Sequence, residues 1–147
     1  MKLVYIKENA CVECKLCELA CYVEHSPTKD ILDAYEMQIR PMPRCEVDVE
    51  LPYSASIMCR HCIDAPCLTA CQNGSIYRDE RGAVIVNEKT CVGCWMCIMM
   101  CPYGVIKRDR RHGYFGISTK CDLCPERETP ACVDACPNGA LLFDDRG

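Results

Sequence analysis

Residues 11–21 read CVECKLCELAC, and the spacing of the four cysteines in this stretch decides the fold. The same C-x2-C-x2-C-x3-C pattern returns at residues 91–101, which read CVGCWMCIMMC. Two further sets of four cysteines complete the pattern, one at Cys59, Cys62, Cys67 and Cys71 and the other at Cys121, Cys124, Cys132 and Cys136. Sixteen of the 17 cysteines therefore fall into four tight sets, and Cys45, the one left over, is predicted to be an ordinary free cysteine.

Thiolates at this spacing are typical ligands of a 4Fe–4S cluster, because soft sulfur ligands match iron. Three cysteines separated by two residues wrap one corner of the iron–sulfur cube, and the fourth cannot bend back to the same cube. In two-cluster proteins that fourth cysteine binds the neighbouring cluster, and a proline after it directs the chain away. Proline follows both Cys101 and Cys136. The sequence thus predicts four 4Fe–4S clusters held by the sixteen cysteines of the four sets.

Two other uses of cysteine remain as alternatives. Structural zinc sites are built from pairs of C-x2-C, and the pairs that begin at Cys59 and at Cys121 would suit zinc in isolation. The consecutive cysteine triads and the Cys-Pro ends favour iron, so a zinc scaffold is the weaker hypothesis. A disulfide scaffold is weaker still, because residues 1–10 contain no apolar secretory signal.

Composition and charge exclude several classes of protein. Hydrophobic residues make up 50% of the 147 residues, but that figure includes the cysteines, and the chain has only two Phe and one Trp. Such a thin apolar core predicts that metal binding and folding are coupled. The net charge of −4, made more negative by anionic clusters, disfavours nucleic-acid binding. No apolar run approaches the ~18 residues of a membrane span, so a cytoplasmic protein is expected.

The chain repeats internally. Residues 4–11 align with residues 84–91, and residues 65–76 align with residues 129–141. The predicted fold class is α+β: a duplicated bacterial-ferredoxin-like fold with short strands, short helices, long cluster-binding loops and an inserted β-hairpin. Strands are predicted at 3–7, 75–78, 83–87, 104–107 and 140–143. The hairpin is predicted from apolar alternation at Met37 and Ile39 and at Val47, Val49 and Leu51.

The four cysteine sets, with the opening CKLCELACYVEHS at residues 14–26, resemble a known family. These are the four-cluster ferredoxin-type electron-transfer subunits of large oxidoreductases, which include the beta subunits of the dimethyl-sulfoxide-reductase group. The family also includes the small iron–sulfur proteins of carbon monoxide dehydrogenase, hydrogenase, formate dehydrogenase and tungsten aldehyde oxidoreductase systems, and the opening looks closest to the carbon-monoxide-dehydrogenase-associated branch. Some relatives carry Trp in place of one cysteine of the third set and hold a 3Fe–4S cluster there. Trp95 replaces no cysteine here, so all four clusters are expected to be 4Fe–4S.

The resemblance implies a pairing of the first set with the fourth and of the second with the third. The four ligand sets it implies are Cys11, Cys14, Cys17 and Cys136; Cys121, Cys124, Cys132 and Cys21; Cys59, Cys62, Cys67 and Cys101; and Cys91, Cys94, Cys97 and Cys71. It also implies two ferredoxin-like lobes. Residues 1–50 and 113–147 would form the lobe of the first and fourth sets, and residues 51–112 the lobe of the second and third sets.

No catalytic motif accompanies these cysteines, neither a G-x-G-x-x-G nor a Walker loop. The expected function is therefore non-catalytic relay of low-potential electrons between a catalytic oxidoreductase subunit and a second redox protein in an anaerobic system. A free-standing polyferredoxin and a self-associating, filament-forming conductive module are the alternatives. The basic residues in the stretch 107–111 are a candidate docking loop, and Arg60 and His61 are expected to tune a cluster potential.

Overall fold

The computed structural model describes residues 1–145 of the chain. This part is built from short strands and short helices, which confirms the mixed class predicted from the sequence. The strands are β1 (Lys2–Ile6), β2 (Cys45–Glu50), β3 (Tyr53–Met58), β4 (Ile76–Arg78), β5 (Val84–Val86), β6 (Lys107–Asp109), β7 (Ile117–Thr119) and β8 (Leu141–Asp145). The helices are α1 (Leu16–Glu24), α2 (Ile31–Glu36), α3 (Pro66–Ala70), α4 (Met96–Met100) and α5 (Ala131–Asp134), with 3₁₀ turns at Glu8–Ala10 and Arg110–His112. None of the helices in residues 1–145 is long and apolar enough to cross a membrane.

Two antiparallel strand pairs occupy the same place relative to the cysteine sets. Strand β1 leads into the first set and pairs with β8, which follows the fourth set; β5 leads into the third set and pairs with β4, which follows the second. The registers are equivalent, since Val4 lies opposite Phe143 and Val84 lies opposite Arg78. Each strand pair directs apolar side chains into the interior. Leu141 on β8 and Val84 on β5 are examples, and both are almost fully buried.

The helices follow the same division, and the apolar clusters follow it in part, since the first cluster also contains Met58 and Ala83. Helix α1 packs against α5, and α3 packs against α4. One apolar cluster contains Leu3 and Leu141 from the first strand pair, and a second contains Ile76 and Val84 from the other pair. Buried cysteines contribute to both clusters, so thiols take places that larger apolar side chains occupy in other proteins.

The inserted hairpin exists, but the predicted pairing of its strands is wrong. Strand β2 pairs antiparallel with β3, and residues 37–39 form no strand. The Asp30 carboxylate caps α2 by accepting the backbone N–H of Leu32 at 2.8 Å. Helix α2 therefore occupies the residues immediately before Met37, where the predicted strand would begin. Pro41 and Pro43 lack the amide protons that a ladder needs. The hairpin therefore turns at Leu51 and Pro52, which are joined by a cis peptide bond.

The strand predicted at 104–107 is also displaced, whereas the other four predictions fall within one or two residues of observed strands. Strand β6 begins only at Lys107 and pairs with β7. Before it, Val105 and Ile106 are buried, and Ile106 joins the second apolar cluster. The apolar pattern there reflects burial of an irregular segment, which the sequence cannot distinguish from a short strand.

Candidate metal centres

One cavity brings together cysteines from opposite ends of the chain. Its lining includes Cys11, Cys14 and Cys17 of the first set and Cys136 of the fourth, with Pro137 beside them. Strand pairing explains the meeting, because β1 and β8 lie side by side and lead into these two segments. The remaining lining is largely apolar, which suits a ligand that must be kept from water.

A second cavity repeats this arrangement. It is lined by Cys59, Cys62 and Cys67 of the second set and by Cys101 of the third, with Pro102 beside them. Helix α3 carries Cys67 and packs against α4, which ends just before Cys101. In both cavities three cysteines of one set meet the last cysteine of another.

Two thiols of the fourth set, those of Cys121 and Cys124, lie within electrostatic reach of Cys21. Burial raises the pKa of Cys121 well above its ordinary value, and the charges of Cys132 and Cys21 raise that pKa further. Burial likewise raises the pKa of Cys124 to about 12, with contributions from the same two cysteines. Thiols crowded in a dry site resist ionisation unless a cation compensates them, and iron supplies that compensation when it binds.

Two asparagine side chains connect the last cysteine of one set to the start of another. The Asn73 amide, two residues after Cys71, donates to the carbonyl of Thr90 at 2.8 Å. The Asn138 amide, two residues after Cys136, donates to the carbonyl of Ala10 at 3.4 Å. Thr90 directly precedes Cys91, as Ala10 precedes Cys11, so the two contacts are equivalent in the internal repeat. They draw Cys71 toward the third set and Cys136 toward the first.

The loops of the first and third sets share an unusual backbone conformation. Lys15 (φ +57°) and Trp95 (φ +66°) are left-handed residues that directly precede α1 and α4. Non-glycine residues rarely adopt this conformation, and it concentrates at functional sites. Left-handed and right-handed residues in alternation direct successive backbone N–H groups to one side, which forms a concavity suited to an anion. The loops therefore fit an anionic cluster.

Backbone N–H groups also reach the cysteine sulfurs directly. His61 donates to Cys59 Sγ at 3.4 Å, Ile76 to Cys71 Sγ at 3.4 Å, Arg44 to Cys21 Sγ at 3.2 Å and Ala140 to Cys136 Sγ at 3.2 Å. Hydrogen bonds to cluster sulfurs are one of the ways in which proteins set the reduction potential of a cluster. Thiol donors, partly apolar walls and amide groups at the sulfurs together fit 4Fe–4S clusters.

Several polar side chains that contact the cysteines could not be identified from the sequence. Ser56 accepts the Cys17 thiol at 3.4 Å, and Ser118 Oγ lies 3.1 Å from Cys97 Sγ. Lys120 Nζ donates to Cys59 Sγ at 3.2 Å. These residues lie on or next to strands outside every motif, and only the position of Lys120 directly before Cys121 could have drawn attention to it.

Cys45 is buried among the thiols of the cysteine sets. The sequence did not indicate this, because Cys45 belongs to none of the sets. Its thiol donates to the Cys17 carbonyl at 3.4 Å. Hydrogen bonds with Cys132, Cys17 and Cys21 raise the pKa of Cys45 far above the ordinary value. Its thiol therefore acts as a hydrogen-bond donor to its neighbours.

A half-buried ionic network flanks Cys21 and Cys124. His25 Nε2 lies 3.2 Å from the Asp122 carboxylate, and Arg44 Nη1 lies 2.6 Å from it. Burial lowers the pKa of His25, but the hydrogen bonds to Asp122 and Cys21 outweigh burial and raise that pKa to about 9. The network ties the loop before β2 to the fourth cysteine set.

Of the two residues expected to tune a potential, His61 lies between Cys59 and Cys62 and is fully buried. Its Nδ1 accepts the backbone N–H of Val84 at 3.1 Å. Burial and the positive charge of Lys120 lower the pKa of His61 to about 3, so this imidazole is neutral. Arg60 stacks on the ring of Tyr103, with 4.6 Å between the guanidinium carbon and the ring centroid.

The basic stretch at 107–111, the candidate docking loop, makes most of its contacts within the protein. Lys107 pairs with Glu46 at 2.5 Å, and Arg111 pairs with the buried carboxylate of Asp109. Arg108 donates to the carbonyls of Tyr114 and Phe115 and stacks on Trp95. Most of this positive charge is therefore engaged within the protein, which weakens its candidacy as a docking loop.

Exposure distinguishes two cysteines from the rest. Cys14 and Cys94 are exposed, whereas the other cysteines are buried or half-buried. Exposed apolar residues flank both of them, namely Val12 and Leu16 beside Cys14 and Val92 and Met96 beside Cys94. These are the places where a cluster held by the two loops would come nearest to the protein surface.

Known proteins share both this sequence and this fold. Residues 49–146 match the family described as 4Fe-4S dicluster domain. The electron transport protein HydN of Escherichia coli strain K12 is 36% identical, with 99% of this chain and 89% of HydN covered. One subunit of the anaerobic dimethyl sulfoxide reductase of Haemophilus influenzae is 37% identical, with 95% of this chain and 71% of that subunit covered.

A solved structure shares the fold at lower identity. It is the active site complex BamBC of benzoyl coenzyme A reductase as isolated, with a TM-score of 0.53 and 21% identity. The match covers 99% of this chain and 78% of that one. The sixteen thiols of the four sets and the relatives support four 4Fe–4S clusters as the cofactors. The chain belongs to the 4Fe–4S dicluster family of ferredoxin-type electron-transfer proteins.

Proposed function

We propose that this protein is a non-catalytic subunit that relays low-potential electrons between a catalytic oxidoreductase subunit and a second redox protein. The observation that carries the proposal is the meeting of three cysteines of one set with the last cysteine of another in each of the two cavities. Relatives named as an electron transport protein and as part of a reductase support a catalytic partner.

In this proposal the chain forms two similar lobes, and each lobe holds two of the four clusters. Residues 1–50 and 113–147 would hold two clusters, one on Cys11, Cys14, Cys17 and Cys136 and the other on Cys121, Cys124, Cys132 and Cys21. Residues 51–112 would hold the other two, one on Cys59, Cys62, Cys67 and Cys101 and the other on Cys91, Cys94, Cys97 and Cys71. The equivalent registers of the β1–β8 and β4–β5 pairs and the equivalent contacts of Asn73 and Asn138 support this assignment.

When bound, the clusters supply one-electron chemistry, and the residues of this chain control where it happens. Cysteine thiolates hold the iron, and backbone N–H groups at the sulfurs stabilise negative charge. Buried side chains such as Leu141 and Val84 keep water away from the interior thiols. The exposed loops at Cys14 and Cys94 would be the two places of electron entry and exit, one in each lobe. A reducing cytoplasm would keep the thiols available for iron.

Metal analysis and reconstitution under anaerobic conditions test the proposal. We expect about sixteen iron and sixteen sulfide per chain, because each of four clusters contains four of each. The isolated chain should accept electrons from dithionite without converting any metabolite. Adding the oxidoreductase that co-purifies with it should restore electron transfer to an external acceptor.

Three outcomes would count against the proposal. Stoichiometric zinc with negligible iron would favour a structural scaffold. If the partner transfers electrons to its physiological acceptor at the same rate without this chain, the chain is not the relay. Full iron content with no co-purifying oxidoreductase would instead favour a free-standing polyferredoxin.

A further inference from the structure

Lys120 is a buried lysine that no cysteine motif includes. It follows β7, directly precedes Cys121, and is 2% exposed. Its ammonium Nζ donates to Cys59 Sγ at 3.2 Å and to the Cys121 carbonyl at 3.1 Å. A third hydrogen bond goes to the carbonyl of Val84. The side chain therefore joins the second cysteine set to the fourth.

The three contacts match the number of N–H donors on a lysine ammonium. An ammonium has three donors and no acceptor, and Lys120 faces three acceptors. A neutral amine would turn its lone pair toward an oxygen or a sulfur. The acceptors are a thiol sulfur and two carbonyl oxygens, so no carboxylate in these contacts balances the buried charge. A buried cation without a carboxylate is costly unless another anion lies close.

The internal repeat shows that the fold does not need a lysine here. Cys59 and Cys121 begin the two matching sets, so the residue that corresponds to Lys120 is Met58. Met58 is also buried, at 5% exposure, and joins the first apolar cluster. An apolar side chain of similar length thus fills the equivalent place in the same molecule. Packing alone gives no reason for a charge before Cys121.

We propose that Lys120 is a positioning residue that raises the reduction potential of the cluster bound through Cys59. The inference rests on the proposed function, since it needs that cluster to be present. Reduction adds one electron, supplied by a neighbouring cluster or a partner protein, and makes the cluster more negative. The ammonium and its N–H···S hydrogen bond stabilise the reduced form more than the oxidised form. No bond to Lys120 breaks, and no proton leaves it.

The position of the Lys120 ammonium suggests which electron-transfer step the raised potential affects. The ammonium contacts Cys59 Sγ, a proposed ligand in the lobe 51–112, and the backbone carbonyl of Cys121, a proposed ligand in the other lobe. By raising the potential of the cluster bound through Cys59, the ammonium favours the electron residing on that cluster rather than returning to the cluster it left. Lys120 would therefore assist transfer from one pair of clusters to the other.

The substitution Lys120→Met, which copies the residue at Met58, tests the inference with a potential as its readout. Redox titration followed by electron paramagnetic resonance should show four clusters, with one of them harder to reduce. We expect the ratio of reduced to oxidised form of that cluster, at a fixed potential, to fall at least tenfold, which is about 59 mV for one electron. Lys2→Met is the control, because Lys2 is exposed on β1 and solvent screens its charge.

A measurement on the unaltered protein covers the case in which Lys120→Met loses its clusters. In protein labelled with ¹⁵N at the lysine ε-nitrogen, pulsed paramagnetic resonance should detect a nitrogen coupling at one reduced cluster. Unchanged potentials in an intact Lys120→Met protein, or no lysine coupling at any cluster, would overturn the inference. A wild-type chain that holds no iron would refute the proposed function instead, so the two failures are distinguishable.

Discussion

At the level of single residues, small polar groups help to hold together thiols that strand pairing brings near each other from distant parts of the sequence. Asn138 donates to the carbonyl before Cys11, and Asn73 donates to the carbonyl before Cys91. Each of these contacts positions the last cysteine of one set near the triad of another. A cysteine is therefore expected to affect the cluster it reaches, which need not be the cluster of its sequence neighbours.

Cys21 provides the sharpest test at this scale. We expect Cys21→Ser to damage the cluster held by Cys121, Cys124 and Cys132, because Cys21 lies in the same buried apolar cluster as Cys121 and Cys132 and its charge acts on Cys121 and Cys124. A cube that loses one thiolate is less stable, and it can convert to a three-iron form. Paramagnetic resonance of Cys21→Ser should therefore differ from that of Cys14→Ser, in which the altered ligand stays with its own triad. If the two variants lose the same cluster signal, the fourth cysteine is local and the proposed pairing is wrong.

At the level of elements, the loop that leads into α4 is held tightly against the segment before β7. A Cβ atom at Gly93 would lie 2.6 Å from the carbonyl oxygen of Gly116, and Gly93 has φ +69°. Backbone cannot move away as a flexible side chain would, so only glycine fits at this contact. The close approach helps to define the conformation of the third cysteine loop.

Gly93→Ala should therefore be more harmful than a glycine substitution that meets open space. Gly104 is the matched control, since it also has positive φ (+62°) and a Cβ atom there would meet nothing within 4 Å. We expect Gly104→Ala to cost about 1–2 kcal/mol from backbone strain alone, and Gly93→Ala to cost more because of the added clash. The rate of cluster bleaching in denaturant under anaerobic conditions measures the difference. Equal rates for the two variants would show that the contact with Gly116 is unimportant.

At the level of the whole molecule, sulfur occupies much of the interior. Five of the eleven buried residues in the larger apolar cluster are cysteines, namely Cys17, Cys21, Cys45, Cys121 and Cys132. Thiols bury little apolar surface, so the hydrophobic contribution to folding is small for a chain of this length. Bonds from thiolates to iron have to supply the rest.

We therefore expect the iron-free chain to remain unfolded. Removing iron with a chelator under reducing conditions should abolish the circular dichroism of the short helices and strands. Reconstitution with iron and sulfide should restore it, which serves as the control for irreversible damage. A cooperative thermal transition in the iron-free protein would contradict the expectation and show that the apolar contacts suffice.

The sequence by itself determined the kind and number of metal centres, because the spacing of ligands within each set is a local property of the chain. It also located β1, β4, β5 and β8 to within a residue or two, because their apolar runs lie next to the cysteine sets. The internal repeat was visible for the same reason. These features depend on residues that are close together in the sequence.

Only the tertiary structure decided which distant groups meet. The partner of β2 depended on where α2 and two prolines interrupt the chain, and the basic residues at 107–111 found carboxylates, carbonyls and an aromatic ring that no motif predicts. Lys120 and Cys45 belong to no spacing pattern, and their contacts join residues far apart in the chain. Side-chain contacts of this kind arise from packing in three dimensions, and one sequence contains no periodic signal for them.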